Sequence, residues 1–397
     1  MRSGVRGFDG RKLAEARLAR GITSRKALAD MMGRAPSTVI RWEDGETAPE
    51  GPALEELSKA LAVPVDFFLS SRPDIGTTFF RSLASALKAD RSMQLARLSW
   101  LEDITAVAGH YAFLPEVDLP DFLNGVSYRS LRDEDLEGIA QEARDHWGIG
   151  LRPIPNVIAL LEQIGVVVAS EPMETTQLDG LSRWGSDRRP YVLLATDKQS
   201  FARRQFDAAH ELAHLVLHRA VSEDDLVENF KLIEDQAHRF ASALLLPAGQ
   251  FSTEVINASL WELERLKVRW RVSIKAQIMR LQRLCMVDAE GATRLYRSYN
   301  AKGYSGSEPY DDVWPLQQPT LLADVFRTMV EDGGLSKEEL RRDLPLFAHD
   351  VESLAGLPTG WLSQEPARVV KLKPVSPTRG EGPTGQLGEV IPMSRRQ

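Results

Sequence analysis

Residues 203–218 read Arg203-Arg204-Gln205-Phe206-Asp207-Ala208-Ala209-His210-Glu211-Leu212-Ala213-His214-Leu215-Val216-Leu217-His218. On an α-helix, His210 and His214 stand about 40° apart around the axis and one turn apart along it. Their imidazoles therefore converge on one cation at about 2.0–2.1 Å. Glu211 projects beside them, close enough to hold a water bound at that cation without being a ligand. Phe206, Ala209, His210, Ala213, His214 and Leu217 follow one another at helical spacing, so the histidines lie on an apolar stripe. Leu212, Leu215 and Val216 make the adjoining flank apolar as well. Buried polar side chains need partners, and a metal ion satisfies both imidazoles at once. The competing reading is a pair of hydrogen-bonded histidines in a helical core with no metal. Asp207 is placed to cap the start of the helix, and His218 reads as a partner for the dipole at its end.

A catalytic metal with one open position needs a third protein ligand. The metzincin continuation, a histidine ten positions after the first, fails because residue 220 is Ala220. Further on lies Ile233-Glu234-Asp235-Gln236-Ala237-His238-Arg239-Phe240-Ala241. Glu234, Ala237 and Ala241 share a helical face, so a second helix can offer Glu234 across small residues. His238 is either a rival ligand or a group behind the ligands. Around these helices the pattern is mixed α/β. Amphipathic helices are expected over 133–149 and 156–165, strands at GVVVAS (165–170) and RPYVLLAT (189–196), and helices near 203–218, 230–246 and 273–284. Cys285 reads as a core residue.

The 397 residues are 43% apolar and 26% charged, ordinary globular composition for two to four domains. A single cysteine excludes a disulfide scaffold and a thiolate zinc cluster, and fits a reducing cytoplasm. No apolar run approaches the roughly 18 residues of a membrane span, and MRSGVRGFDG at the start lacks a signal-peptide core. A cytoplasmic protein with no membrane partner is expected. The net charge of −7 hides a split: residues 1–42 hold ten Lys/Arg against three acids, a surplus of +7, which leaves −14 on the remainder. Only the basic head is suited to a polyanion.

That head fits a helix-turn-helix. Phe8-Asp9-Gly10 precedes the first amphipathic run, Thr23-Ser24 offers a cap for the second helix, Gly33 breaks that helix, Pro36-Ser37 opens the third and Gly45 ends it. Leu28, Ala29, Met32, Gly33, Val39 and Trp42 occupy the packing positions of the motif. Arg34, Ser37, Thr38 and Arg41 are left on the exposed side to read base edges, and Arg25 and Lys26 suit phosphates. The expected partner is a double-stranded DNA operator; palindromic operators imply a homodimer.

The expected fold is mainly α with α+β. It comprises a helix-turn-helix domain (1–72), a helical linker (73–130), a zincin-like α/β metallopeptidase domain (131–300), a small helical C-terminal region (301–373) with a capping box at Ser336–Glu339, and a Gly/Pro-rich disordered tail (374–397).

Two resemblances sharpen this. Roughly residues 135–290 resemble the ImmA/IrrE-type metallopeptidases, through DHWGIGLRPIPNVIALLEQIGVVV (145–168), LDGLSRW (178–184), the stretch 203–218, EDQAHRFASALLLP (234–247) and WRVSIKAQIMRLQRL (270–284). The resemblance implies that His210, His214 and Glu234 bind the metal, Zn2+ or another divalent ion, and that Glu211 is the catalytic base. The chain departs at Ala213, where members often carry Gly, and at His238, where they often carry Asn. Residues 24–61 resemble the lambda-repressor/Xre-type helix-turn-helix family, with Arg34 where an apolar residue is usual. Together these imply a transcription regulator with a zinc-dependent peptidase domain of latent activity. Its expected substrate is a helix-turn-helix repressor or the chain's own segment between about 73 and 125. The alternative is a repressor whose metal domain only senses a ligand or metal.

Overall fold

Asp9 begins the first helix by accepting the Arg11 amide at 2.9 Å, and α1 (Gly10–Ala19) follows. Ser24 does the same for α2 (Arg25–Met31), accepting from Ala27 at 3.0 Å. Gly33 then turns the chain at φ +61°, a conformation that strains any side chain, into α3 (Pro36–Glu43). With α4 (Gly51–Leu61) these helices enclose Leu13, Leu28, Val39 and Leu57, all at 0% exposure. Buried Glu43 ties the bundle together by accepting from Arg17 at 2.6 Å and from Arg25 at 2.8 Å.

The computed structural model describes residues 4–70, 78–80, 88–173, 178–198 and 200–363. The tail expected over 374–397, and 73–77 and 81–87 of the expected linker, lie outside these residues. The rest of that linker is more than a connector. It contains the strand β1 (Thr78–Phe80) and the 24-residue helix α5 (Lys88–Tyr111). Trp100, Leu101 and Ile104 of α5 are fully buried in one apolar cluster with Leu13, Ala16 and Phe67 of the head. Trp100 meets Phe67 edge-on at 6.1 Å, and the Arg20 guanidinium lies 4.9 Å from the Trp100 ring. Lys12 donates to Asp103 at 2.7 Å. Helical periodicity alone cannot distinguish a free connector from a helix clasped on two sides, which is why its packing had to come from the structure.

After α6 (Asp133–His146) and α7 (Val157–Gln163) come β2 (Val167–Glu171), β3 (Gly180–Trp184) and β4 (Pro190–Ala195). The strand order is β1-β3-β4-β2, with β2 and β4 parallel and β3 antiparallel to both β1 and β4. The sheet divides two cores, and its side chains alternate between them. Val167, Ala169, Tyr191 and Leu193 join the α5 cluster, whereas Val168, Val192 and Leu194 face the cluster of α8 (Phe201–Leu217). Burial on both faces explains why β2 and β4 read as continuous apolar runs. In β3 the buried Ser182 and Arg183 are polar and paired with Glu211 and Glu102, so that strand lacks the apolar run and carried no strand signal. Arg183 donates from β3 to Glu102 of α5 at 2.6 Å.

Ser200, not Asp207, caps α8, accepting from the Arg203 amide at 3.3 Å. The helix starts at Phe201, which is buried, so Asp207 falls in its second turn and faces Arg203 at 3.7 Å. Next come α9 (Glu223–Glu228), α10 (Phe230–Leu245) against α8, and then α11 (Ala248–Glu254), α12 (Leu260–Trp270), α13 (Ile274–Arg283) and α14 (Ala289–Ala301). Cys285, expected in the core, is exposed at φ +54°, in the turn after α13. The last helices, α15 (Leu321–Glu331), α16 (Lys337–Asp343) and α17 (Ala348–Leu354), return to the α5 cluster through Phe326, Leu340 and Val351. Ser336 and Glu339 form the expected capping box. Asp350 of α17 accepts from Arg20 at 2.6 Å and from Arg97 at 3.4 Å, and Arg97 also pairs with Glu171 of β2. No helix among the described residues is long and apolar enough to cross a membrane.

Because Trp100 carries Phe67 and Arg20 of the head and is buried in the cluster that α5 shares with the body, Trp100→Ala should cost about 3–5 kcal/mol. Head and body should lose stability together in one denaturant transition. A head melting unchanged while the body alone is weakened would show that α5 does not unite them.

Candidate metal centre

Small residues let α8 and α10 approach: Ala209, Ala213, Ala237 and Ala241 are all at 0% exposure. The approach brings together the three predicted ligands. His210 Nε2 lies 3.1 Å from His214 Nε2 and 3.4 Å from Glu234 Oε2, and His214 Nε2 lies 3.3 Å from Glu234 Oε1. Ligand bonds of about 2.0–2.1 Å in a tetrahedral site place donor atoms about 3.3–3.4 Å apart, so these separations describe one face of such a polyhedron. Glu234 Oε1, which faces His214 Nε2, is buried without a hydrogen-bond partner. A divalent cation answers that unmet polarity, and the donor set, two imidazoles and a carboxylate, suits one. Among the described residues, His210, His214 and Glu234 are the group able to hold a metal ion. Burial pulls His210 down to about 3, which keeps it neutral. Burial pushes the Glu234 carboxyl up, but its contacts with His210 and His214 prevail and hold it below the usual carboxylate range.

Glu211 is buried and turned toward β3. Ser182 donates its hydroxyl to Glu211 Oε2 at 2.6 Å. A Cβ at Gly180 would fall 2.9 Å from Glu211 Oε1 and 3.2 Å from its Cγ, so a side chain there would press the carboxylate out of this position. Neither Gly180 nor Ser182 was singled out in the sequence, although both stand in the quoted LDGLSRW.

His218 has a larger part than dipole partner. Its ring is at 0% exposure, and burial pulls it down to about 3. Gln236 Nε2 donates to the Tyr128 carbonyl at 2.7 Å, which turns Gln236 Oε1 toward His218 Nε2 at 3.1 Å. The amide oxygen can only accept, so His218 carries its proton on Nε2 and presents a lone pair at Nδ1. His214 Nδ1, 3.1 Å away, is then the donor, and His214 Nε2 keeps its lone pair on the side of His210 and Glu234. The signal available was a third histidine at helical spacing and a glutamine two residues after Glu234. His238 stands outside the ligand cluster: its ring packs 4.5 Å from that of His210 and stacks on Phe206 at 5.8 Å. A cavity of about 900 Å³, lined by Phe230, Glu234, Asp235 and His238 among others, opens beside the cluster.

On the head, Ser37 and Arg41 are exposed on α3, Lys26 is exposed on α2, and Thr38 is half-buried. Arg25 is engaged by Glu43 and Asp44, each at 2.8 Å. Arg34 pairs with Glu56 at 2.6 Å and lies 5.5 Å from the Trp42 ring. Its guanidinium thereby sits over an aromatic face.

Residues 161–282 match the family model described as the IrrE N-terminal-like domain, a peptidase family, and residues 13–68 match the model described as helix-turn-helix. The first match spans all four residues of the centre; the second spans α2 and α3. No curated protein matches the chain. The protein thus joins a helix-turn-helix DNA-binding domain to a metallopeptidase-type domain with a buried His-His-Glu cluster able to hold a metal ion.

Two outcomes follow. His218→Ala leaves the three ligands in place but should weaken divalent-metal binding about 10–100-fold in a chelator competition; unchanged affinity would remove His218 from the centre. The metal-free protein should lose stability as pH falls below 6.5. The unfolded chain takes up protons there, whereas His210 and His218 resist them down to about 3. Denaturant midpoints at pH 7.5 and 5.5 check the sign, and a rise on acidification contradicts it.

Proposed function

We propose that the protein is a cytoplasmic transcription regulator whose metal domain is a zinc-dependent peptidase acting on a repressor-type protein. One observation carries the enzymatic half: Glu211 lies between the two histidines in the chain and is held by Ser182 at 2.6 Å, where a merely structural site needs no base. His210, His214 and Glu234 would hold the ion. Three protein ligands leave an open position, and nitrogen with oxygen donors suits zinc. A zinc ion bound there supplies Lewis acidity to a peptide carbonyl and makes water more acidic.

The remaining roles belong to the chain. Glu211 accepts a proton from the attacking water as the oxygen bonds to the carbonyl carbon. It returns the proton to the amide nitrogen as the C–N bond breaks. Ser182 fixes the carboxylate for both transfers, and the His218–Gln236 relay holds His214 in the tautomer that can ligate.

On DNA, Ser37, Thr38 and Arg41 would meet base edges, with Lys26 on phosphate. Arg25 and Arg34 would join them only by giving up their carboxylate partners. A homodimer on a palindromic operator fits this arrangement. We place the domain limits at 1–72 and 131–300. The sensor reading, in which the metal domain binds but does not cut, draws support from the 2% exposure of Glu211.

Glu211→Gln separates the two readings. The variant should keep its zinc and its DNA affinity yet lose about 10²–10⁴-fold in cleavage rate. A host proteome should then show one protein cut only by the unaltered enzyme; identical proteomes at equal metal content favour the sensor. In the full-length protein, Arg41→Ala should cost about 1–3 kcal/mol of DNA affinity and relax sequence preference, whereas Lys26→Ala should weaken binding evenly and lower the salt slope by about 1. Wild-type affinity in both variants, by titration of duplex DNA at several salt concentrations, would place the DNA face elsewhere.

A further inference from the structure

A second cavity, of about 830 Å³, opens where α8 ends. Leu215, Val216 and Leu217, the residues between His214 and His218, line it, as do Trp184 at the end of β3 and the loop that carries Tyr128. It shares no lining residue with the cavity beside Glu234, and none of the three residues of the metal cluster borders it. Its volume lies in the range of small-molecule sites, and its walls are built like theirs, mostly apolar with a few placed charges.

Those charges decide what fits. Four charged side chains border the cavity: Asp121, Arg129, Arg219 and Asp225. Arg129 and Asp225 pair with each other. Asp121 accepts from the amides of Leu123 at 3.1 Å and Gly125 at 3.2 Å. Arg219 is left, and among the described residues no carboxylate pairs with it. Its guanidinium lies 3.9 Å from the centre of the Trp184 ring, and that ring is itself fixed by donating to the Leu215 carbonyl at 3.1 Å. A guanidinium stacked on an indole keeps its N–H edge available to a carboxylate, which it binds through two parallel hydrogen bonds.

The same cavity touches the support of the metal cluster. Tyr128 sets its ring edge-on against His218 at 5.7 Å, and its carbonyl accepts from Gln236, the amide that orients His218. Arg129 donates to the Tyr128 hydroxyl at 3.3 Å. Val126 and Ser127, just before Tyr128, are exposed. A ligand packed between this loop and α8 adds contacts that the loop lacks and holds the Tyr128 carbonyl on Gln236. A support held more firmly favours the tautomer in which His214 can ligate.

We propose that this cavity is an effector site for a small organic carboxylate with an apolar body, gripped by Arg219 beside Trp184, and that its occupation tightens metal binding through Tyr128, Gln236 and His218. The inference does not rest on peptidase activity. It gives the metal domain a chemical input, whichever output that domain has.

Two probes, 1-naphthoate and octanoate, test it against their neutral amides by calorimetry on the zinc-loaded, full-length protein. At least one acid should bind about tenfold more tightly than its amide. Arg219→Ala, a change at an exposed residue, should erase that preference with the zinc content unchanged. In a chelator competition, saturation with that acid should raise the divalent-metal affinity about fivefold or more, and by linkage the metal-free protein should bind the acid more weakly by the same factor. No binding of either acid, or a preference that survives Arg219→Ala, overturns the ligand site. Metal affinity unchanged or lowered at saturating acid overturns the coupling. Failure of the peptidase reading looks different: the acid binds and tightens the metal, but no protein is cut.

Discussion

Two imidazoles and a carboxylate, buried between α8 and α10, set the terms for the rest of the body. Each would lose several kcal/mol of hydration if left without partners. The helices meet across alanines because anything larger would separate the donors. The strand above α8 in turn offers Gly180, which leaves room for Glu211 to turn toward it. The rings behind the ligands must also be polar and in the right tautomer, which accounts for His218, Gln236 and the Tyr128 carbonyl. A site of this kind couples binding to folding, since the unfolded chain holds no such cluster.

The ligand helix was legible because helical spacing translates directly into direction: His210, Glu211 and His214 are local, and Glu234 lies on a second amphipathic helix whose small residues advertise close packing. Strand β3 was not legible, because its polar residues answer to partners far along the chain, Ser182 to Glu211 and Arg183 to Glu102. The same holds for His218, whose proton position depends on a glutamine on another helix and a carbonyl in a loop. The cap of α8 was misread for a different reason. Ser200 and Asp207 are both good caps, and only the burial of Phe201 shows that the helix already runs between them. Arg25, a plausible phosphate ligand by position, faces two carboxylates that lie 18 and 19 residues further on.

The charge split takes a specific form. Part of the surplus on the head faces inward, where Lys12 meets Asp103 and Arg20 meets Asp350. Asp350 shares itself with Arg97, which continues to Glu171 at the end of β2, and Ser353 closes the network by donating to Glu171 at 2.7 Å. Breaking one member of such a buried network strands the others, so its members act as a unit. The helices that follow α14 supply Asp350 and Ser353, so the C-terminal region helps to fasten the head.

The clasp around α5 changes what a break in the backbone would mean. A cut anywhere between Ser70 and Lys88 would sever the covalent tie between head and body and leave Phe67 on Trp100, Lys12 on Asp103 and Arg20 on Asp350. The two pieces would behave as a noncovalent complex rather than as free fragments. Before the cut, every separation is followed by recapture at the high effective concentration of one chain; afterwards, dilution makes separation final. Proteolysis at that place would act as a timer: the cleavage starts the clock, and the dissociation rate of the interface determines when the DNA-bound piece is left on its own.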